Sequence, residues 1–357
     1  MGHAGNLVGV LAWPGAALAW TGQPLAYVTS SNGISVIDTG DNEVVDTILG
    51  PALNAAVTPD GKHIYAFGPS TSDFVFNISV IDATNDKVVA TVPLDVSLVA
   101  TGVSLNENSS GIAATPDGKH VYVTTGLCSS ISFDCIRPES VYFALWVIDT
   151  ATNKVVAASP GKGVTDGITF TPDGQHTYLT NFDPYYVLPQ VLVFETGNSI
   201  SLPGNGIVYA IAITPDGRHA YVPYVSFFNG ISSENVAIID TETNTVAKTI
   251  LAETPFSGTT LTGVAVTPDG KYVYVTNQGS NSVAVIDTAS NTIVKTVLVG
   301  TSPGGVAVTP DGVHVYVTNQ GSNSVSAINT ASNTVVATVP VAGPGAISII
   351  PPPQACG

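Results

Sequence analysis

Six histidines, 26 acids and three cysteines are the side chains of this 357-residue chain best equipped for polar chemistry. Five of the histidines, His63, His120, His176, His219 and His314, occupy one context, the second place after a Thr-Pro-Asp-Gly, with Tyr272 taking that place in another copy. A repeat carries such side chains apart, so they read as turn-packing groups and not as ligands of one ion or a shared general base. The acids are less regular. Asp73, Asp134, Glu139, Asp166, Asp183 and Glu234 lie in stretches that are not repeated. Asp166 directly precedes a short apolar segment, and Asn54 and Tyr209 occupy similar starts. Polar groups gathered around a channel could hold water, a small ligand or a cation such as Ca2+; solvated loop acids are the plainer reading. No G-x-S-x-G, HExxH, P-loop or dinucleotide fingerprint is present.

Cys128 and Cys135 fall in "CSSISFDC", inside what reads as a loop insertion. A disulfide closing that loop is expected, with an oxidising compartment as its corollary; two free thiols are the alternative. No further soft ligand lies near them in sequence, which disfavours a metal. Cys356 is left over, free or available for an intermolecular bond. Ten Lys and Arg stand against the 26 acids, a formal charge of −16. With no basic cluster, nucleic-acid partners and polybasic membrane anchoring are excluded. The composition, 44% hydrophobic and only 10% charged, belongs to a folded, β-rich chain and not to a disordered one.

The elements that must position these residues come from a repeat. "TPDG" begins at Thr58, Thr115, Thr171, Thr214, Thr267 and Thr309. Thr267–Gly300 aligned with Thr309–Ala342 keeps 25 of 34 residues without a gap, so these two units read as framework. In one copy "GVAVTP" is a short strand A, "PDG" a tight turn, "KYVYVTN" strand B, "SVAVIDT" strand C and "TIVKTVLV" strand D. Between C and D the recurring D-T-x-x-N reads as a side-chain-supported turn. A period of 40–45 residues with several short strands is the signature of a β-propeller. Ala26–Gly50 supplies strands B, C and D without an A, and Gly343–Pro351 supplies an A with nothing after it. Joined, they complete a seventh blade and close the ring, which removes open sheet edges. The expected fold is therefore an all-β, seven-bladed propeller over residues 24–351, with segments 1–23 and 352–357 outside it.

The unit "TPDGKYVYVTN…SVAVIDT…NTIVKTV" resembles the YVTN-type β-propeller repeat of surface-layer and other exported proteins, and the resemblance runs from Ala26 to Pro351. It implies the fold and an exported setting, extracellular, cell-surface or periplasmic. It does not imply an activity, because propellers host binding, scaffolding, lyase and lactonase functions alike.

Specificity should lie where the copies differ. The B–C links are minimal in blades 1, 6 and 7 and long in blades 2 to 5: Phe67–Asn77, Gly126–Ser140, Asn181–Gln190 and Pro223–Asn235. These insertions raise one sector of one face and hold Phe74, Phe76, Phe133, Tyr185, Tyr186, Tyr224, Phe227 and Phe228. Such aromatics either form a contact surface or pack on one another to stiffen the loops. Residues 1–23 are apolar, with an Ala17-Leu18-Ala19 end that fits a signal peptidase but no preceding Lys or Arg. The alternative is a retained arm that packs on a neighbouring subunit; Pro14 and the length exclude a membrane span. The favoured expectation is a non-enzymatic propeller that binds a protein or cell-surface polymer, or assembles with itself into oligomers or filaments, without a cofactor. The alternative expectation is a lyase- or lactonase-type enzyme with its site at the tunnel mouth of the same face.

Overall fold

The computed structural model describes residues 23–69, 76–99, 103–106, 111–129, 142–183, 188–228, 231–251 and 261–350. Seven antiparallel sheets form a seven-bladed β-propeller. Blade 1 is the composite one: Leu25–Ser30, Gly33–Asp38 and Glu43–Leu49 are its strands B, C and D, and Ile347–Ile350 is its strand A. The closing pairs run from Leu25↔Ile350 to Val28↔Ile347, so the chain ends meet in one sheet as the repeat arithmetic requires. Blade 6, with Leu261–Val266, Tyr272–Asn277, Ser282–Asp287 and Thr292–Leu298, shows the unmodified unit. Its strands A and B are buried on both faces, whereas strand D buries little besides Val297. That gradient follows from ring geometry, which wedges inner strands between neighbours and leaves outer ones at the rim.

Each TPDG turn is built the same way. In the first, Thr58 Oγ1 donates to Asp60 Oδ1 at 2.7 Å and receives the His63 N–H at 3.0 Å. Gly61 takes φ +68°, as its counterparts do, a conformation that glycine adopts without a Cβ penalty. The five later glycines also pack on the proline of the preceding TPDG, as Gly118 does on Pro59, so this motif sets inter-blade spacing as well as reversing the chain.

The D-T-x-x-N turns do more than the sequence suggested. Their asparagines, such as Asn153, Asn244 and Asn291, adopt positive φ, and the C–D ladders of these blades shift register just before the turn. This is the turn-plus-bulge hairpin that a left-handed residue permits. The same asparagine side chain then accepts a hydrogen bond from the strand B tyrosine of the preceding blade. Tyr65 to Asn153, Tyr221 to Asn291, Tyr274 to Asn333 and Tyr316 to Asn42 all measure 2.6 Å. Tyr178 to Asn244 is 2.7 Å, and Tyr27 reaches Asp86 at 3.0 Å. Six of the seven seams are latched in this way.

The insertions are less loop-like than expected. In blade 5, strands His219–Phe228 and Ile231–Asp240 continue as one tall hairpin, pairing as far as Phe228↔Ile231. A further strand, Asn205–Val208, pairs with its inner edge above the short strand A, Ala212–Ile213. Blade 3 does likewise: Val103–Asn106 pairs with the top of His120–Ser129, above Ile112–Ala114. Extra height on this face is thus partly paired sheet. Among the described residues no helix is long and apolar enough to cross a membrane.

Candidate active site at the tunnel mouth

The hub is held by threonines of strand B. Thr124, Thr180, Thr276 and Thr318 each receive the N–H of a strand A glycine, Gly111, Gly167, Gly263 and Gly305, at 2.7–2.8 Å. Thr276 and Thr318 donate in turn to carbonyls of the next blade, Gly304 and Gly345, at 2.8 and 2.7 Å. In blades 3 and 4 glycine fits a close approach of the next blade. A Cβ at Gly111 would come within 2.8 Å of the Asp166 carbonyl, and one at Gly167 within 3.0 Å of that of Tyr209. These contacts fix the residue before each hub glycine at the inner rim. Asp166 holds that place in blade 4 and Tyr209 the equivalent place in blade 5, where blades 6 and 7 have Thr262 and Gly304.

Asn54 does not share that place. It sits one residue farther along, where the glycine stands elsewhere, and Leu53 is the residue aligned with Asp166. Asn54 is fully buried, and its Oδ1 accepts the Ala55 N–H at 2.8 Å.

Asp166 is 4% exposed, and its Oδ1 has no hydrogen-bond partner among the described residues. A carboxylate without compensating donors is costly inside a protein, so burial pushes Asp166 up to about 8. Tyr209, half-buried beside it, is pushed up to about 12, first by burial and then by the charge of Asp166. The pair therefore offers, near neutral pH, a carboxyl poised to exchange a proton and a phenol that stays protonated and can donate a hydrogen bond.

The other candidates are distributed differently. Phe76 is buried and stacks on Phe67 at 5.1 Å, and Tyr224 is buried in the core of blade 5. Phe227 is 44% exposed on the tall hairpin, and Phe228 ends its outgoing strand. Phe74, Phe133, Tyr185, Tyr186 and Cys135 lie outside the described residues. Cys128 lies in a strand, opposite Ser104, and its pairing with Cys135 likewise falls outside them. The TPDG histidines begin B strands on the opposite edge, or in blade 4 directly precede one; His176 approaches Glu195 only to 3.9 Å. Among the described residues no cluster of three or more His, Cys, Asp or Glu could hold a metal ion. One residue gains weight from the structure: Glu234, 1% exposed, accepts a short hydrogen bond from Asn277 of the next blade. The sequence marks it only as an acid in an insertion.

A family model described as a lactonase, seven-bladed β-propeller, matches residues 211–342. No curated protein matches the chain. Among solved structures, the periplasmic gluconolactonase PpgL of Pseudomonas aeruginosa is similar with a TM-score of 0.67 and 17% identity, over 92% of this chain and 99% of its own. A Bacteroides uniformis protein described as a candidate 6-phosphogluconolactonase gives 0.63 and 16%, over 92% and 100%. Hydrazine synthase of Kuenenia stuttgartiensis gives 0.65 and 21%, over 84% and 90%. At these identities the structural likeness shows the fold. The family match corrects the expectation of a non-enzymatic, self-assembling surface scaffold in favour of its lactonase-type alternative. That expectation weighed low charge and apolar insertions as signs of a binding surface, yet the match falls on blades 5 to 7, including the two that read as pure framework.

Proposed function

We propose that the protein is a lactonase, opening a cyclic ester by hydrolysis at the tunnel mouth, with Asp166 as general base and Tyr209 as hydrogen-bond donor to the carbonyl oxygen. The observation that carries this reading is the buried carboxyl at the hub, whose Oδ1 has no partner among the described residues, in a chain that matches a lactonase model elsewhere. In its ionised form Asp166 removes a proton from a water as the water oxygen bonds to the lactone carbonyl carbon. Negative charge develops on the carbonyl oxygen, where the Tyr209 hydroxyl offers a directed donor. The tetrahedral intermediate collapses with cleavage of the ring C–O bond, and Asp166 returns the proton to the departing ring oxygen. The product hydroxy acid then loses its proton to solvent, leaving Asp166 ionised for another cycle.

General-base catalysis contributes roughly 10^2 to 10^4 in rate. Replacing Asp166 by Asn should therefore lower kcat for lactone hydrolysis by about 100-fold or more. Continuous titration of the acid released from glucono-δ-lactone by wild type and variant tests this. A variant as active as wild type removes Asp166 from the mechanism.

A further inference from the structure

We propose, building on the lactonase reading, that the site takes uncharged lactones and discriminates against phosphorylated ones. Most of the cations lie away from the mouth. Of the ten Lys and Arg, four follow TPDG glycines and two, Lys87 and Lys154, open D strands at that same edge, away from the mouth. Lys248 and Lys295 lie within D strands on the outer rim. Only Lys162, exposed at the end of a D strand, reaches the mouth edge among the described residues, and Arg137 lies outside them.

Acids stand at both edges, but at the mouth edge they are not matched by cations. Asp166 stands at the hub, Glu234 is buried in the tall hairpin, and Asp183 ends strand B of blade 4 at the same edge. Recognition of a phosphate calls for Arg or Lys donors, or a nest of backbone N–H groups at a helix start. Among the described residues, those aligned with Asp166 at the hub provide neither: they are Leu53, Tyr209, Thr262, Gly304 and Gly345. A phosphomonoester dianion would approach an acidic, cation-poor mouth in which the working base is itself ionised, and a low-dielectric rim focuses that repulsion. A neutral lactone meets no such barrier. Its hydrolysis creates a carboxylate within the same field, so the mouth that admits the substrate repels the product.

The test compares initial rates of the full-length protein on glucono-δ-lactone and 6-phosphoglucono-δ-lactone, with protein-free buffer as the blank for spontaneous opening. The neutral lactone should show a kcat/KM at least about tenfold higher at low ionic strength, the order of effect that steering produces. The ratio should narrow as added salt shortens the screening length. Equal rates, or preference for the phosphorylated substrate, overturn the inference while leaving the lactonase reading intact. Hydrolysis of neither substrate above the blank overturns the lactonase reading itself, and the inference with it.

Discussion

Blades 4 and 6 are built from the same four strands, yet they differ at each place where the repeat does structural work. Blade 6 has Thr262 before its hub glycine, and the Thr262 hydroxyl bonds Thr276 and the Pro303 carbonyl at 3.1 and 3.2 Å; blade 4 has Asp166 there, with an oxygen that none of the described residues satisfies. The C–D turn of blade 6 ends in Asn291 at φ +52°, which latches Tyr221. That of blade 4 reaches Gly197 at φ +69°, the same backbone conformation without the side chain. Its C–D ladder also lacks the register shift seen in the other six blades. Tyr122, which would use that latch, instead meets Phe170 edge to face at 5.1 Å. The lesson is that the framework is legible as sameness, and the candidate site as a local failure of the repeat to satisfy its own polar groups.

The largest stability effect expected from breaking this contrast is at Asp166. Its folded pKa lies above the unfolded value of 3.8, so the unfolded chain loses its proton first as pH rises. Stability contributed by the neutral carboxyl is complete below about pH 4 and lost progressively until pH passes about 8. Asp166→Asn should consequently stabilise the fold by a few kcal/mol, on the order expected for a shift of this size, at pH 9 and by almost nothing at pH 4. Denaturant unfolding at the two pH values checks this. An equal effect at both would mean that Asp166 is ionised throughout.

Next in size is the latch. Tyr274→Phe removes a hydrogen bond and should cost about 1 kcal/mol, whereas Tyr122→Phe, at the unlatched seam, should cost near zero. Equal losses in thermal unfolding would deny the difference between the seams. The reverse experiment sharpens it: Gly197→Asn puts the usual acceptor opposite Tyr122, in open space and at a φ that Asn tolerates. It should add roughly 0.5–1 kcal/mol, part of it by restricting the unfolded chain.

The blade arrangement was readable because TPDG fixes the frame and a ring leaves a single place for the orphan strands, as Tyr27↔Ser348 bears out. Asp166 and Tyr209 were visible as polar residues before strand A. Asn54 was misplaced by one residue, because in blade 2 the hub glycine is itself replaced and the frame loses its marker. The tyrosine latches were invisible because they join residues 59 to 88 positions apart in all but the closing seam. The blade 5 insertion reads as a loop because Pro223 and Gly230 break the alternation that marks a strand, although the flanking ladder continues to Phe228↔Ile231.

The smallest effect expected is at the seam between blades 1 and 2, where Asp86 replaces the latch asparagine. Burial raises the Asp86 pKa even though the Tyr27 hydroxyl opposes it, so its ionised form weakens this seam above the ordinary carboxylate range. Asp86→Asn should add a few tenths of a kcal/mol at pH 7 and nothing below pH 3.8, read by the same unfolding assay.

In the proposed reaction Asp166 acts in its ionised form, and the pH dependence of kcat/KM for a neutral lactone tests that directly. For the wild type the rate, corrected for spontaneous opening, should rise through a midpoint near 8 and then level. Asp166→Asn should abolish that rise. The same midpoint persisting in the variant, or a wild-type rate that falls as pH increases through this range, would contradict the assignment of Asp166 as the base.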